Sequence, residues 1–197
     1  MSKKVVFIHG SPRRNGNTRA LAGVAQAALA AMGVESGEID AARLEFKHPG
    51  CIACYKCQGS EAYGCHIDDE LAQAVATLPD YDAVVLATPI YWFSHTAQAK
   101  MLIDRMFSLI KFGPNHEIHS PLTGKPLALL ATGGGQVEEN LEVLETLWSI
   151  PAKRIGSPFL SCLSPMCHYP PGEVVNDPAA VAKAEAFGRS LGELLRT

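Results

Sequence analysis

Three short stretches of this chain are apolar almost from end to end, and each leads into a loop of small or polar residues followed by a helical pattern. They are Val5–Val6–Phe7–Ile8–His9, Ala83–Val84–Val85–Leu86–Ala87 and Pro126–Leu127–Ala128–Leu129–Leu130–Ala131. A strand that alternates apolar and polar residues can leave one face in water. A strand apolar at every position has to be covered on both. Strand, loop and helix repeating in that order therefore require a parallel sheet between two helical layers.

The rest of the chain fills in this frame. After the first strand, Leu21, Val24, Ala25, Ala28, Leu29 and Met32 recur at helical spacing and Gly33 closes the helix. Residues 34–40 form a weaker edge strand containing Gly37, and 44–64 are irregular and carry cysteines. Asp68, Asp69 and Glu70 open a short helix with Leu71, Val75 and Leu78 inward. A helix over 94–110 turns Leu102, Met106, Leu109 and Ile110 inward and offers Lys100 and Asp104 as an i,i+4 pair. Residues 112–125 are a loop. A helix over 136–148 buries Leu141, Leu144 and Leu147, and 155–160 is a last strand interrupted by Pro158. Asp177 caps and Pro178 begins a final helix with Val181, Phe187, Leu191 and Leu194. The pattern gives one α/β domain over residues 1–197, with a cysteine-rich insertion at about 44–66. The fold it predicts is a three-layer sandwich around a five-stranded parallel sheet in the flavodoxin-like order 2-1-3-4-5.

In that topology the ligand lies beyond the C-terminal ends of the strands, where the chain reverses direction across the sheet. The loops there should meet. Gly10–Ser11–Pro12–Arg13–Arg14–Asn15–Gly16–Asn17–Thr18 supplies hydroxyls, amides and arginines in front of a helix N-terminus, a setting that binds phosphate. It is neither GxGxxG nor GxxxxGK[ST], and it suits the terminal monophosphate of FMN. Thr88–Pro89–Ile90–Tyr91–Trp92–Phe93 offers aromatic faces and backbone amides to a flat ring. Thr132–Gly133–Gly134–Gly135 lets backbone approach such a ring closely.

A net charge of −3 argues against a nucleic-acid surface. No apolar stretch reaches the ~18 residues of a membrane span, and the chain enters a strand with no signal-peptide core, so a cytoplasmic protein is expected. Of six cysteines, Cys51, Cys54, Cys57 and Cys65 fall close together in the pattern C-x2-C-x2-C-x7-C. Such crowding suits a 4Fe–4S cluster, structural zinc, redox-active thiols or simple packing. Cys162, Cys167 and His168 have no ligand signature and suit buried small residues in a Pro-rich loop. The spacing of His116 and His119 gives no reason to invoke metal.

The segments GSPRRNGNT, TPIYWFSHTAQAKMLIDR and LTGKPLALLATGGG resemble the NADPH-dependent FMN reductase and iron–sulfur flavoprotein branch of the flavodoxin-like superfamily. The resemblance covers most of residues 3–135; beyond that only the strand–helix pattern is similar. It implies tight, noncovalent FMN, with Ser11, Arg13, Asn15, Asn17 and Thr18 around the phosphate. Pro89, Ile90, Tyr91 and Trp92 would flank the ring, with Thr132, Gly133 and Gly134 on its far side. It also implies a homodimer or homotetramer whose neighbouring subunit helps close the site, and the cysteine spacing is similar to that of iron–sulfur flavoproteins. Two functions follow as expectations. One is an oxidoreductase passing electrons from NAD(P)H to a quinone, flavin or other small acceptor, with no side chain required as general acid or base. The other moves electrons between ferredoxin and FMN through a 4Fe–4S cluster. A non-enzymatic flavodoxin-type carrier fits less well, because such carriers are strongly acidic.

Overall fold

The computed structural model describes residues 2–196. Strands β1 (Lys4–His9), β2 (Glu35–Asp40), β3 (Ala83–Pro89), β6 (Leu127–Thr132) and β7 (Phe159–Ser164) form one parallel sheet, ordered β2-β1-β3-β6-β7. Counted along that sheet alone, this is the flavodoxin-like order 2-1-3-4-5. Helices α1 (Asn17–Ala30) and α5 (Pro178–Leu194) cover one face. Helices α2 (Glu70–Thr77), α3 (Ala97–Arg105) and α4 (Glu142–Arg154) cover the other. A two-stranded hairpin, β4 (Lys111–Phe112) with β5 (Ile118–His119), stands inside the stretch expected to be loop.

The apolar strands feed both cores in alternation. Val5, Phe7, Ala83, Val85, Ala128 and Leu130 pack under α1 and α5, while Val6, Ile8, Val84, Leu86, Leu127 and Leu129 pack under α2 to α4. Each of these side chains is at most 1% exposed, which is why the runs contain no polar interruption.

Several boundaries differ from the sequence expectation, each for a local reason. The helix expected over 94–110 begins at Ala97, because Thr96 is extended and its hydroxyl caps the Ala99 amide at 3.2 Å. It tightens into a 3-10 turn at Met106–Leu109. The helix expected over 136–148 starts only at Glu142, because Glu138 is extended (ψ 136°) and Glu139 left-handed (φ 55°). It then runs to Arg154, so Trp148 and Ala152 are buried beside Leu141 and Leu144, while Leu147 faces out at 41% exposure. The last strand lies at 159–164, not 155–160. Pro158 has no N–H to give a ladder and sits just outside it, its carbonyl accepting the Leu127 amide at 3.0 Å.

One core histidine has a measurable consequence. His95 is 8% exposed, packs edge-on against Trp148 with ring centroids 6.3 Å apart, and finds no hydrogen-bond partner for either nitrogen. Burial first, and then Lys100, push its pKa down to about 4. The folded state disfavours the proton, so stability is full at neutral pH and falls as pH drops from the unfolded value near 6.5 towards 4. At pH 5 the loss is about 2 kcal/mol. Urea unfolding at pH 7 and pH 5 should show that difference shrink in His95→Leu; an unchanged pH dependence would contradict the assignment.

Candidate functional site

The loops after β1, β3 and β6 meet at the C-terminal edge of the sheet, held by specific bonds. Thr96 on the β3 loop donates its hydroxyl to the Gly10 carbonyl at 2.6 Å. The Ile90 amide donates to the Thr132 carbonyl at 2.9 Å, and the Thr18 and Thr132 hydroxyls are 2.7 Å apart. Two glycines make this approach possible. A Cβ on Gly10 would lie 2.8 Å from the Ala99 Cβ, and one on Gly133 would lie 2.8 Å from the Ile90 side chain.

Between the loops is a cleft of about 180 Å³. Its walls are Ser11, Arg13, Gly16, Asn17, Thr18, Pro89, Ile90, Tyr91, Thr132, Gly133 and Gly134, joined by Cys167 and Tyr169. Of the residues expected here, Asn15, Trp92 and Phe93 stand outside the walls. Trp92 (φ 48°) and Phe93 (φ 58°) form the tip of a tight turn closed by mutual Tyr91–Ser94 backbone bonds, and Trp92 is 93% exposed. Two bulky left-handed residues without glycine are a strained way to build a turn, and strain of this kind gathers at sites of function.

The end of the cleft at the start of α1 has a distinctive electrostatic character. Helices α2, α3 and α5 each receive a side-chain cap, from Asp69, Thr96 and Asp177. Helix α1 opens on Gly16 with no side-chain cap and no acidic residue in its first turn. Its first amides therefore face the cleft beside buried Ser11 and Thr18 and exposed Arg13, which matches the donor set of a phosphate monoester.

Asn17, on the cleft wall, also fastens the segment that follows β7. Its amide donates to the Tyr169 carbonyl at 2.9 Å, and its carbonyl oxygen accepts the Val174 amide at 3.3 Å. The Cys167 amide donates to the Gly133 carbonyl at 2.9 Å, and the Met166 amide to Gly135 at 3.0 Å. Residues 165–177 are thus strapped across the cleft. Cys167 and Tyr169 were invisible as site residues in the sequence. The available signal was topological: they follow a strand whose C-terminal end lies on the same edge as the other loops. Cys162 is buried in the core under α5, and burial pushes its thiol up to about 11.

A second site lies beyond α3. Cys51, Cys54, Cys57 and Cys65 all line one small pocket with Arg105, Phe107 and Ser108. All four thiols are free. Among the described residues, no group of three or more His, Cys, Asp or Glu side chains is arranged to hold a single metal ion. Zinc draws four ligands to about 2.3 Å around one point, whereas a 4Fe–4S cube takes each cysteine on a separate iron. The residue types and their number fit the cube. The free space between the four thiols is about 20 Å³, so seating a cluster requires the pocket to open. The arm with Cys51 and Cys54 is exposed, and Ala53 (φ 51°) and Tyr55 (φ 55°) are left-handed along it.

Arg105 and Asp69 were missed by sequence reasoning and organise this pocket. The Arg105 guanidinium, 1% exposed, donates to Asp69 at 2.9 Å, to the His48 carbonyl at 3.0 Å, to the Cys65 sulfur at 3.0 Å and to the Gly50 carbonyl. Burial pushes the Asp69 carboxyl up, but the Ala72 and Lys47 amides and Arg105 outweigh it and hold it below the ordinary carboxylate value.

With this geometry in view, similarities to known proteins take on meaning. An iron–sulfur flavoprotein of Methanocaldococcus jannaschii is 28% identical over 201 residues, covering 98% of this chain and 97% of that one. An iron–sulfur flavoprotein of Archaeoglobus fulgidus is 32% identical over 103 residues, 52% of this chain and 45% of that one. In three dimensions, the NAD(P)H:quinone oxidoreductase of Methanothermobacter marburgensis superposes with a TM-score of 0.75 at 19% identity, over 97% of this chain and 100% of that one. That likeness speaks to the fold. Residues 3–152, well over half the chain, match the profile of the NADPH-dependent FMN reductases, and the protein belongs to that family.

Proposed function

We propose that this oxidoreductase holds FMN in the cleft between the β1, β3 and β6 loops and a 4Fe–4S cluster on Cys51, Cys54, Cys57 and Cys65, and moves electrons between the two groups and an external partner such as ferredoxin. The convergence of the four cysteines on one pocket carries the reading. The full-length similarity to a protein named as an iron–sulfur flavoprotein supports it.

The flavin supplies hydride and one-electron chemistry when bound. The chain's part is to bind, orient and exclude water. The uncapped α1 N-terminus, Ser11, Thr18 and Arg13 would take the phosphate. Pro89, Ile90 and Tyr91 would lie on one side of the ring and Thr132, Gly133 and Gly134 on the other. The strap at 165–177, fastened through Asn17, would limit solvent access to the bound ring.

A second reading has its own observation. Tyr91, Trp92 and Phe93 are 45%, 93% and 56% exposed at the cleft mouth, an aromatic rim suited to a nicotinamide or a quinone. In that reading NAD(P)H is the donor and a small molecule the acceptor. A neighbouring subunit in a homodimer or homotetramer would cover the rim. One anaerobic experiment separates the readings: purified protein is analysed for iron, sulfide and flavin, then offered reduced ferredoxin, NADH or NADPH. The expected result is iron and FMN together, with ferredoxin reducing the flavin. Protein that takes up no iron even on reconstitution, yet oxidises a nicotinamide with quinone or free flavin, would replace the first reading with the second.

A further inference from the structure

We propose that Arg105 is a positioning residue for the cluster: it raises the cluster's reduction potential through a charged N–H···S bond to Cys65. The inference rests on the cluster reading above. Burying a guanidinium is unfavourable unless every donor is matched and the charge is compensated. Here Asp69, itself 8% exposed, supplies the countercharge, and the His48 and Gly50 carbonyls take two further donors. Those three partners account for a clamp on the loop. They leave unexplained why Nη1 is aimed at the Cys65 sulfur, 3.0 Å away.

The other donors to these sulfurs are weaker. The Ala53 amide reaches Cys51 at 3.4 Å and the Gln58 amide reaches Cys57 at 3.7 Å, and neither carries charge. Reduction adds negative charge to a cluster, and hydrogen bonds to its sulfurs are a principal control on potential. A fixed cation against one ligand, shielded from water, favours the reduced form. Lysine cannot replace it, because a single ammonium lacks the planar fork that reaches a carboxylate, two carbonyls and a sulfur together.

The test is Arg105→Lys in the cluster-loaded protein, with the midpoint potential measured by redox titration and FMN content and circular dichroism as controls. The variant should fold and bind FMN, and at fixed applied potential its reduced-to-oxidised ratio should fall about tenfold, about 59 mV for one electron. Wild-type iron content with an unchanged potential would overturn the proposal. Should the variant lose its cluster or its fold, wild-type protein carrying guanidino-15N arginine decides instead. Pulsed electron paramagnetic resonance of its reduced cluster should show a 15N coupling, and no coupling overturns the assignment. Wild-type protein that holds no iron after reconstitution removes the cluster reading itself, an outcome distinct from either.

Discussion

Cys54→Ala protein, purified without air, is expected to keep its FMN and lose the absorbance of its cluster together with electron transfer from ferredoxin. Cys54 is exposed on the outer arm of the pocket, so its replacement disturbs no core contact and should change stability by less than about 0.5 kcal/mol. If the cluster is there, removal of Cys54 would leave one iron without a protein sulfur. Cys162→Ala is the control. That thiol is buried under α5, remote from the pocket lining, and the substitution should leave iron content unchanged. Equal iron in Cys54→Ala and wild type would remove Cys54 from the ligand set.

Arg13→Ala combined with Asn17→Ala should weaken FMN binding by about 100-fold, read from flavin fluorescence quenching on titration into apoprotein. A charge-assisted bond from Arg13 to the phosphate accounts for about 1.5–3 kcal/mol. Asn17 contributes differently: without it the Tyr169 carbonyl and the Val174 amide lose their partners, and the strap at 165–177 loosens. Val174 is buried, so the thermal transition of the apoprotein should fall by a few degrees while remaining cooperative. Affinity within about threefold of wild type would mean that the phosphate does not sit at this loop.

The sheet was legible because its central strands are buried on both faces and carry polar residues only near their ends. The three loops at its C-terminal edge were legible for a related reason: topology requires them to meet, and each had unusual composition. What escaped was set by contacts between segments far apart in sequence. Leu147 and Trp148 are neighbours, and helical phase from Leu141 and Leu144 puts Trp148, not Leu147, on the buried face. β7 contains Ser161 and Ser164, so its pattern resembles a loop until its pairing with β6 is seen. Asn17 is the expected residue type for a helix cap, yet its partners lie more than 150 residues away. Arg105, on a helix read for its apolar face and its Lys100–Asp104 pair, is buried by the loop that its own donors hold together.

Helix α3 is fixed at both ends to different chemistry. Thr96, at its cap, grips the Gly10 carbonyl of the loop after β1, and Arg105, its last residue, grips the loop that ends at Cys65. Its nine residues make it a gauge about 13 Å long, two and a half turns between the two grips. One residue more or fewer would swing Arg105 about 100° around the axis, away from the sulfur. The β1 loop and the cysteine arm can therefore drift in length independently over evolutionary time, while the segment between them cannot. A descendant that abandoned the cysteines would be released from that constraint, and the spacing from Thr96 to Arg105 would then be free to change.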